Sequence, residues 1–281
     1  MAFQYIIPYI LPLPLNYNCT IALPTNAVGR RLKNGTGAVR WRIVCFHDGK
    51  PVDEMERRLL FENGILSNDA CTTYIWHGTK HKWSGNSGYM EIHFDADDKN
   101  TFFPAKDCIE FYALYSAQGK KTFRADGTFK FASPPTIAQI AAFGEFCEGY
   151  PSVRVDRKRN YGESFVLINP YEKPIVVTLA TPDEQKFIRL RVPPRSARNL
   201  ELTDLLQPDV ETFFSRFQLK ASNRVVIFHV RHSISGSYVI TDHEHLDPFR
   251  SDPTHVPAFQ KLRLAIGYFF DRRFNINWNR S

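Results

Sequence analysis

The sequence predicts an all-β chain: two tandem antiparallel β-sandwich domains with a short helical connector and an aromatic-rich C-terminal extension. Three observations lead there. Short Val-, Ile- and Phe-rich runs recur along the whole chain at strand length. Turn signals such as HDGK, ENG, SGNSG, ADG and NPYEKP separate them. Aromatic residues make up 14% of the chain, with 23 Phe and 12 Tyr, and such side chains fit a pleated, half-buried surface. A length of 281 residues with 43% hydrophobic content supplies one large core or two ordinary ones and excludes disorder, collagen and coiled coil.

The opening MAFQYIIPYILPLPL is apolar, but it has no cationic leader, and Pro8, Pro12 and Pro14 interrupt it well short of the roughly 20 residues of a membrane helix. Residues 1–16 are therefore expected to pack on the first domain or on a partner. The first sandwich, 17–146, has candidate strands at 17–23, 39–46, 56–61, 71–76, 89–94, 109–116 and 128–131. In SPPTIAQIAAFGEFCEGYPS, Ile137, Ile140, Ala141 and Phe143 or Gly144 follow a helical period after Pro134-Pro135, which predicts a connector helix and a domain boundary near 146–152. The second sandwich, 152–247, has candidate strands at 164–168, 175–179, 186–192, 197–202, 212–219, 224–231 and 238–241. Its order of motifs echoes the first: CIEFYALYS at 108–116 aligns with VVIFHVRHS at 225–233, matching Phe111 with Phe228. In the extension, 248–281, Phe259, Leu262, Ile266 and Phe269 or Phe270 could form one face of a helix, although Gly267 to Phe270 suits a strand equally. Docking on the chain itself is the default for so aromatic a tail.

Net charge is +7, and residues 151–281 hold 20 basic and 14 acidic side chains. Arg154, Arg157, Lys158 and Arg159 read as a solvated loop or as an attractor for an acidic or phosphate-rich partner. Without a continuous basic stripe, nucleic acid is not the expected partner. Five cysteines without a CxxC pair exclude a zinc knuckle and a disulfide framework, and point to a reduced, cytoplasmic setting. Cys45 and Cys108 lie in apolar runs and read as core residues.

Three groups of residues could carry chemistry. Trp76, His81 and Trp83 belong to a Gly- and Ser-rich stretch in which indoles either stack on sugar rings or pin the loop to the core. His229 and Arg231 share a face of their strand with Ser233, and an arginine fork there could hold a carboxylate, phosphate or sugar hydroxyl; a plain solvated sheet face is the alternative. His243 and His245 alternate onto one face after a strand, and with His255 or His232 they could bind a metal ion or merely hydrogen-bond at a surface. No Gly-rich phosphate cradle, nucleophile elbow or HExxH motif is present, so no cofactor is expected.

The stretch ESFVLINPYEKPIVVTLATPDEQKFIRLRVPPRSARNLELTDLL and the later FFSRFQLKASNRVVIFHVRHS carry Asn169-Pro170, Val192-Pro193-Pro194 and Thr203-Asp204-Leu205 at strand ends. With these landmarks the second half resembles the soluble sensory-rhodopsin-transducer family of β-sandwich proteins over residues 163–233. That resemblance implies an oligomeric, non-catalytic binding or signalling module, with carbohydrate-like ligands in the wider group. The tandem arrangement and the long extension depart from the family pattern, so its light-sensing membrane partner is not carried over. The resulting expectation is a binding or adaptor protein, forming a homo-oligomer and recognising a polar small molecule or a protein partner. A metal-dependent enzyme built on His243 and His245, or a structural subunit of a larger assembly, are the competing classes.

Overall fold

Strand pairing in the computed structural model begins at turns that the sequence encodes. The structure describes residues 3–10, 17–30, 32–77, 88–96, 109–117, 122–129, 147–181, 187–205, 209–222, 225–234, 239–244 and 247–248, with Leu262 and Ile266. Among these residues the chain is mostly strand, paired antiparallel, with one short helix, α1 (Thr25–Gly29). It divides into two units, Met1–Ile137 and Ala138–Ser281. No helix among the described residues is long and apolar enough to cross a membrane.

The first unit contains β1 (Phe3–Ile10), β2 (Tyr17–Ala22), β3 (Gly37–His47), β4 (Lys50–Glu62), β5 (Ile65–Leu66), β6 (Thr73–His77), β7 (Tyr89–Ala96), β8 (Ile109–Ala117) and β9 (Thr122–Phe129). They form two sheets, β1-β7-β3-β4-β5 and β6-β2-β8-β9. Asp48-Gly49 turns β3 into β4 with φ of 45° and 79°, and Asn63-Gly64 turns β4 into β5 with φ of 51° and 78°. Two consecutive positive φ angles make the mirror-image turn whose twist matches a right-handed hairpin, which is why Asp-Gly and Asn-Gly stand there. The apolar opening forms β1, paired along its length with β7 from Phe3↔Ala96 to Ile10↔Tyr89, so it belongs to a sheet of the first unit. Its edge position explains how Pro8 is accommodated, since a residue without an N–H can face away from the ladder there.

Val39, Trp41, Ile43 and Cys45 alternate inward along β3, and all four are fully buried. The two sheets of this unit are tied through Tyr74 of β6, whose hydroxyl donates to Asp53 Oδ2 at 2.8 Å and lies 3.2 Å from Cys45 Sγ. Burial pushes the Cys45 thiol up to about 12, with a smaller opposing effect from the Tyr74 bond.

The second unit contains β10 (Cys147–Gly149), β11 (Ser152–Asp156), β12 (Tyr161–Asn169), β13 (Ile175–Ala180), β14 (Phe187–Val192), β15 (Ser196–Glu201), β16 (Thr212–Arg216), β17 (Gln218–Ala221), β18 (Val226–Ser233), β19 (Val239–Glu244) and β20 (Asp247–Pro248). One sheet runs β14-β13-β17-β10-β20 and the other β16-β11-β12-β18-β19, with β15 also paired to β12. The run 212–219, expected as one strand, is two: buried Phe217 interrupts it, sending β16 to one sheet and β17 to the other. Asn169, fully buried at the end of β12, ties the two sheets by donating from Nδ2 to the carbonyls of Val192, the last residue of β14, and of Pro193 just after it. That bond set gives the Asn169-Pro170 landmark its physical reason. β12 is buried on both faces, with only Tyr161 partly open.

Phe111 falls in β8 and Phe228 in β18, each next to an edge strand of its sheet, with Phe228 buried; the Phe111 side chain lies outside the described residues. The expected connector helix and most of the C-terminal extension lie outside them too.

A burial-controlled thiol hierarchy follows. In the native protein a maleimide at about pH 8, read by peptide mapping, labels exposed Cys71 quickly and Cys19 and Cys45 only as fast as the chain opens. Rapid native labelling of Cys45 contradicts the described core.

Candidate functional site

The densest polar cluster grows from the β11–β12 hairpin and the neighbouring strand β18. The register Asp156↔Tyr161 and Glu163↔Arg231 puts Arg154, Asp156, Tyr161, Glu163, His229 and Arg231 on one face of the sheet. On β16 the register Arg154↔Phe214 and Asp156↔Thr212 adds Phe214 and Thr212 to that face.

Glu163 is the centre. Only 2% exposed, it collects three donors: His229 Nε2 at 2.7 Å on Oε2, the Arg154 backbone N–H at 3.0 Å on Oε2, and the Tyr161 hydroxyl at 2.5 Å on Oε1. Burial alone would raise the carboxyl pKa, but the bonds from His229, Tyr161 and the Arg154 amide outweigh it and hold Glu163 below the ordinary carboxylate value. An ionised carboxylate only accepts, so Nε2 of His229 must carry the proton it donates. His229 is itself completely buried, with its ring tilted against Phe165 at a centroid separation of 4.9 Å. Asp242 of β19 is its register partner.

Outside this buried pair the cluster opens to solvent. The Arg154 side chain, half exposed, donates from Nη2 to Asp156 Oδ2 at 3.1 Å and lies 5.9 Å from the centre of the Tyr161 ring. Asp156 takes a second bond from the Arg159 N–H; burial raises its pKa, and the bonds from Arg159 and Arg154 more than reverse this. Arg231 is 39% exposed and approaches Glu163 Oε1 no closer than 3.8 Å. Arg154, Val155, Asp156, Thr212, Phe213 and Phe214 line an open depression of about 310 Å³, with the Phe214 ring 77% exposed at its edge. Chemically this is an arginine–carboxylate fork beside an aromatic face, a combination suited to binding.

The first unit repeats the buried part. Tyr89 Oη donates to Glu91 Oε1 at 2.9 Å, and His93 Nε2 lies 3.0 Å from Glu91 Oε2, all three groups on one face of β7 and all buried. A second imidazole–carboxylate pair stands on the other face of β18, where His232 Nε2 meets Glu201 Oε2 at 2.9 Å and the Thr203 hydroxyl donates to Glu201 Oε1 at 2.8 Å. Gly162, the register partner of His232, leaves room for that ring: an added Cβ would come within 2.9 Å of it.

The residues singled out from sequence are scattered. Trp76 is fully buried inside β6, with Cys19 as its register partner. Of the pair on β18, His229 is enclosed and Arg231 reaches solvent. His243 falls within β19 opposite Phe228, but its side chain, together with His81, Trp83, His245 and His255, lies outside the described residues. Among the described residues no group of three His, Cys, Asp or Glu side chains is arranged to hold a metal ion. Arg154 was singled out only as part of a basic loop, and Glu163, Tyr161, Asp156 and Phe214 were not anticipated as a site; the alternation in VRVD, YGE and TFFSR is the signal that places them on a common face. No family model and no curated protein matches the chain.

Two outcomes follow. Replacing Glu163 by Ala strands the buried His229 donor and the Arg154 amide, and should cost about 3–5 kcal/mol in denaturant unfolding, whereas Glu163→Gln retains an acceptor and should cost less. The Glu201–His232 pair should make stability pH-dependent. For Glu201, burial raises the pKa but the bonds from His232 and Thr203 bring it below 4.5, so its stabilisation is lost as the pH falls below that value. For His232, burial lowers the pKa but Glu201 brings it above 6.5, so its stabilisation is complete below 6.5 and is lost as the pH rises beyond it. The pair thus stabilises most between pH 4.5 and 6.5, and thermal unfolding of His232→Gln should lack that window.

Proposed function

We propose that the second unit is a non-catalytic binding module and that its ligand is a polar small molecule of the carbohydrate class. The exposed ring of Phe214 beside the Arg154–Asp156 pair carries this reading. A flat aromatic face offers the apolar side of a sugar ring a stacking surface, and the guanidinium, the carboxylate and the Thr212 hydroxyl supply donors and acceptors for its hydroxyl groups. An aromatic ring left 77% exposed on an edge strand is a liability unless something covers it, so a binding role also accounts for its presence. The buried Glu163–His229 pair is a poor acid–base catalyst here, because both groups are enclosed and satisfied by one another; its role is to hold Arg154 and Tyr161 in place. The resemblance of residues 163–233 to transducer-like sandwich modules supports the same class of function.

A glycan array followed by calorimetry of the best binder tests the reading. Phe214→Ala should weaken that binding by about 1–3 kcal/mol and leave the unfolding midpoint nearly unchanged, since the ring is not part of the core. Absence of any glycan binding, or equal binding by the variant, removes the case for this surface.

A further inference from the structure

The charges on this face point further than a neutral sugar. Phe214 and Arg154 are register partners on β16 and β11, Glu163 and Arg231 on β12 and β18, and the Arg154 N–H bonds to the Glu163 side chain to join the two pairs across the sheet. Glu163 fills its acceptor sites with the imidazole, the tyrosine hydroxyl and the backbone amide. Arg231 is left with only the 3.8 Å approach to that carboxylate, and it makes no hydrogen bond among the described residues. Arg154 spends one terminal nitrogen on Asp156, a carboxylate it shares with Arg159 at 3.7 Å. Among the described side chains, three guanidinium groups therefore converge on two carboxylates, both of them nearly buried, while the arginine side chains are 39–76% exposed.

The first unit supplies the contrast. Its buried Tyr89–Glu91–His93 trio is flanked by arginines that each have an exposed carboxylate of their own, Arg42 with Glu54 at 2.6 Å and Arg40 with Glu56 at 3.9 Å. Matched arginines neutralise a sheet face. In the second unit the face is built on a similar trio with its tyrosine partly open, and Arg154 and Arg231, half and 39% exposed, stand on strands about 10 Å apart across two strand spacings.

We infer that the ligand of this face is an acidic saccharide, whose oxyanion is bound by Arg154 and Arg231 while a sugar ring stacks on Phe214. This inference rests on the carbohydrate-binding reading and adds the charge. Carboxylate and sulfate share the necessary chemistry: planar or tetrahedral oxyanions that accept two N–H donors from one guanidinium.

The full chain should be assayed by affinity electrophoresis and calorimetry against polygalacturonate and its methyl ester, dextran sulfate and dextran, and duplex DNA. The expected result is binding to at least one acidic polysaccharide, about tenfold or more weaker binding to its uncharged counterpart, and a comparable loss in both Arg231→Gln and Phe214→Ala. Preference for polygalacturonate identifies a carboxylate ligand, and preference for dextran sulfate a sulfate ester. Arg231→Lys, which keeps the charge but loses the fork, should fall between wild type and Arg231→Gln; unchanged unfolding midpoints exclude misfolding as the cause. Equal binding of charged and uncharged polymers, lost in Phe214→Ala alone, overturns the acidic inference and leaves carbohydrate binding standing. Binding of DNA as tight as that of the polysaccharides, unaffected by Phe214→Ala, overturns the saccharide and leaves only a polyanion surface. Failure of both acidic polysaccharides to bind overturns the inference outright.

Discussion

A carboxylate withdrawn from water must be surrounded by donors, and in the second unit that requirement at Glu163 fixes the relative positions of three strands. β12 brings the acid and Tyr161, β18 brings the imidazole, and β11 brings a backbone amide. Each donor replaces hydration that the carboxylate loses, which is how a group with 2% exposure stays ionised. The Arg154 N–H that bonds to this side chain is withheld from a ladder carbonyl. The β11–β12 pairing is accordingly confined to Asp156↔Tyr161, next to the hairpin turn, while β11 pairs along its full length with β16. The open depression on the β11–β16 ladder lies where this rearrangement leaves Arg154 facing solvent.

Both units hold a tyrosine, a glutamate two residues later and a histidine on the same face, yet the surroundings differ. In the first unit β7 supplies all three, the tyrosine is fully buried, and nearby arginines meet acids of β4. In the second the histidine comes from another strand, the tyrosine is partly open, and three arginines share the two described carboxylates Asp156 and Glu163. A shared internal trio thus serves as scaffold, and the distinction between the units resides in what surrounds it.

The strands and hairpins were legible because their causes are local. Asp48-Gly49 and Asn63-Gly64 demand positive φ, and the period of two in AVRWRIVCF assigns Trp41 and Ile43 to the core without knowledge of the rest. Placing β1 in a sheet was not legible, since its prolines argue against a strand until its edge position is known. The central site was hidden for a different reason: Glu163 and His229 are separated by 66 residues, and only the register of β12 with β18 unites them. His229 and Arg231 were correctly placed on a shared face, but periodicity carries no information on which of two same-face residues finds a buried partner. Trp76 illustrates the converse, because the alternation of Tyr74 and Trp76 assigns both to the inner face of β6 once the strand is extended by one residue to His77.

The corner at Phe217 gives the second unit a mechanical property. Residues 212–221 belong to both sheets, with β16 at the edge of one and β17 enclosed between β13 and β10 in the other. Peeling away β16 would draw a buried phenyl ring from the core and load the middle of the opposite sheet. An edge strand normally frays by itself at little free-energy cost. Here the clasp at Phe217 denies Phe214 that independence, so the aromatic face is presented at a fixed height above Arg154 and the two sheets yield together or not at all.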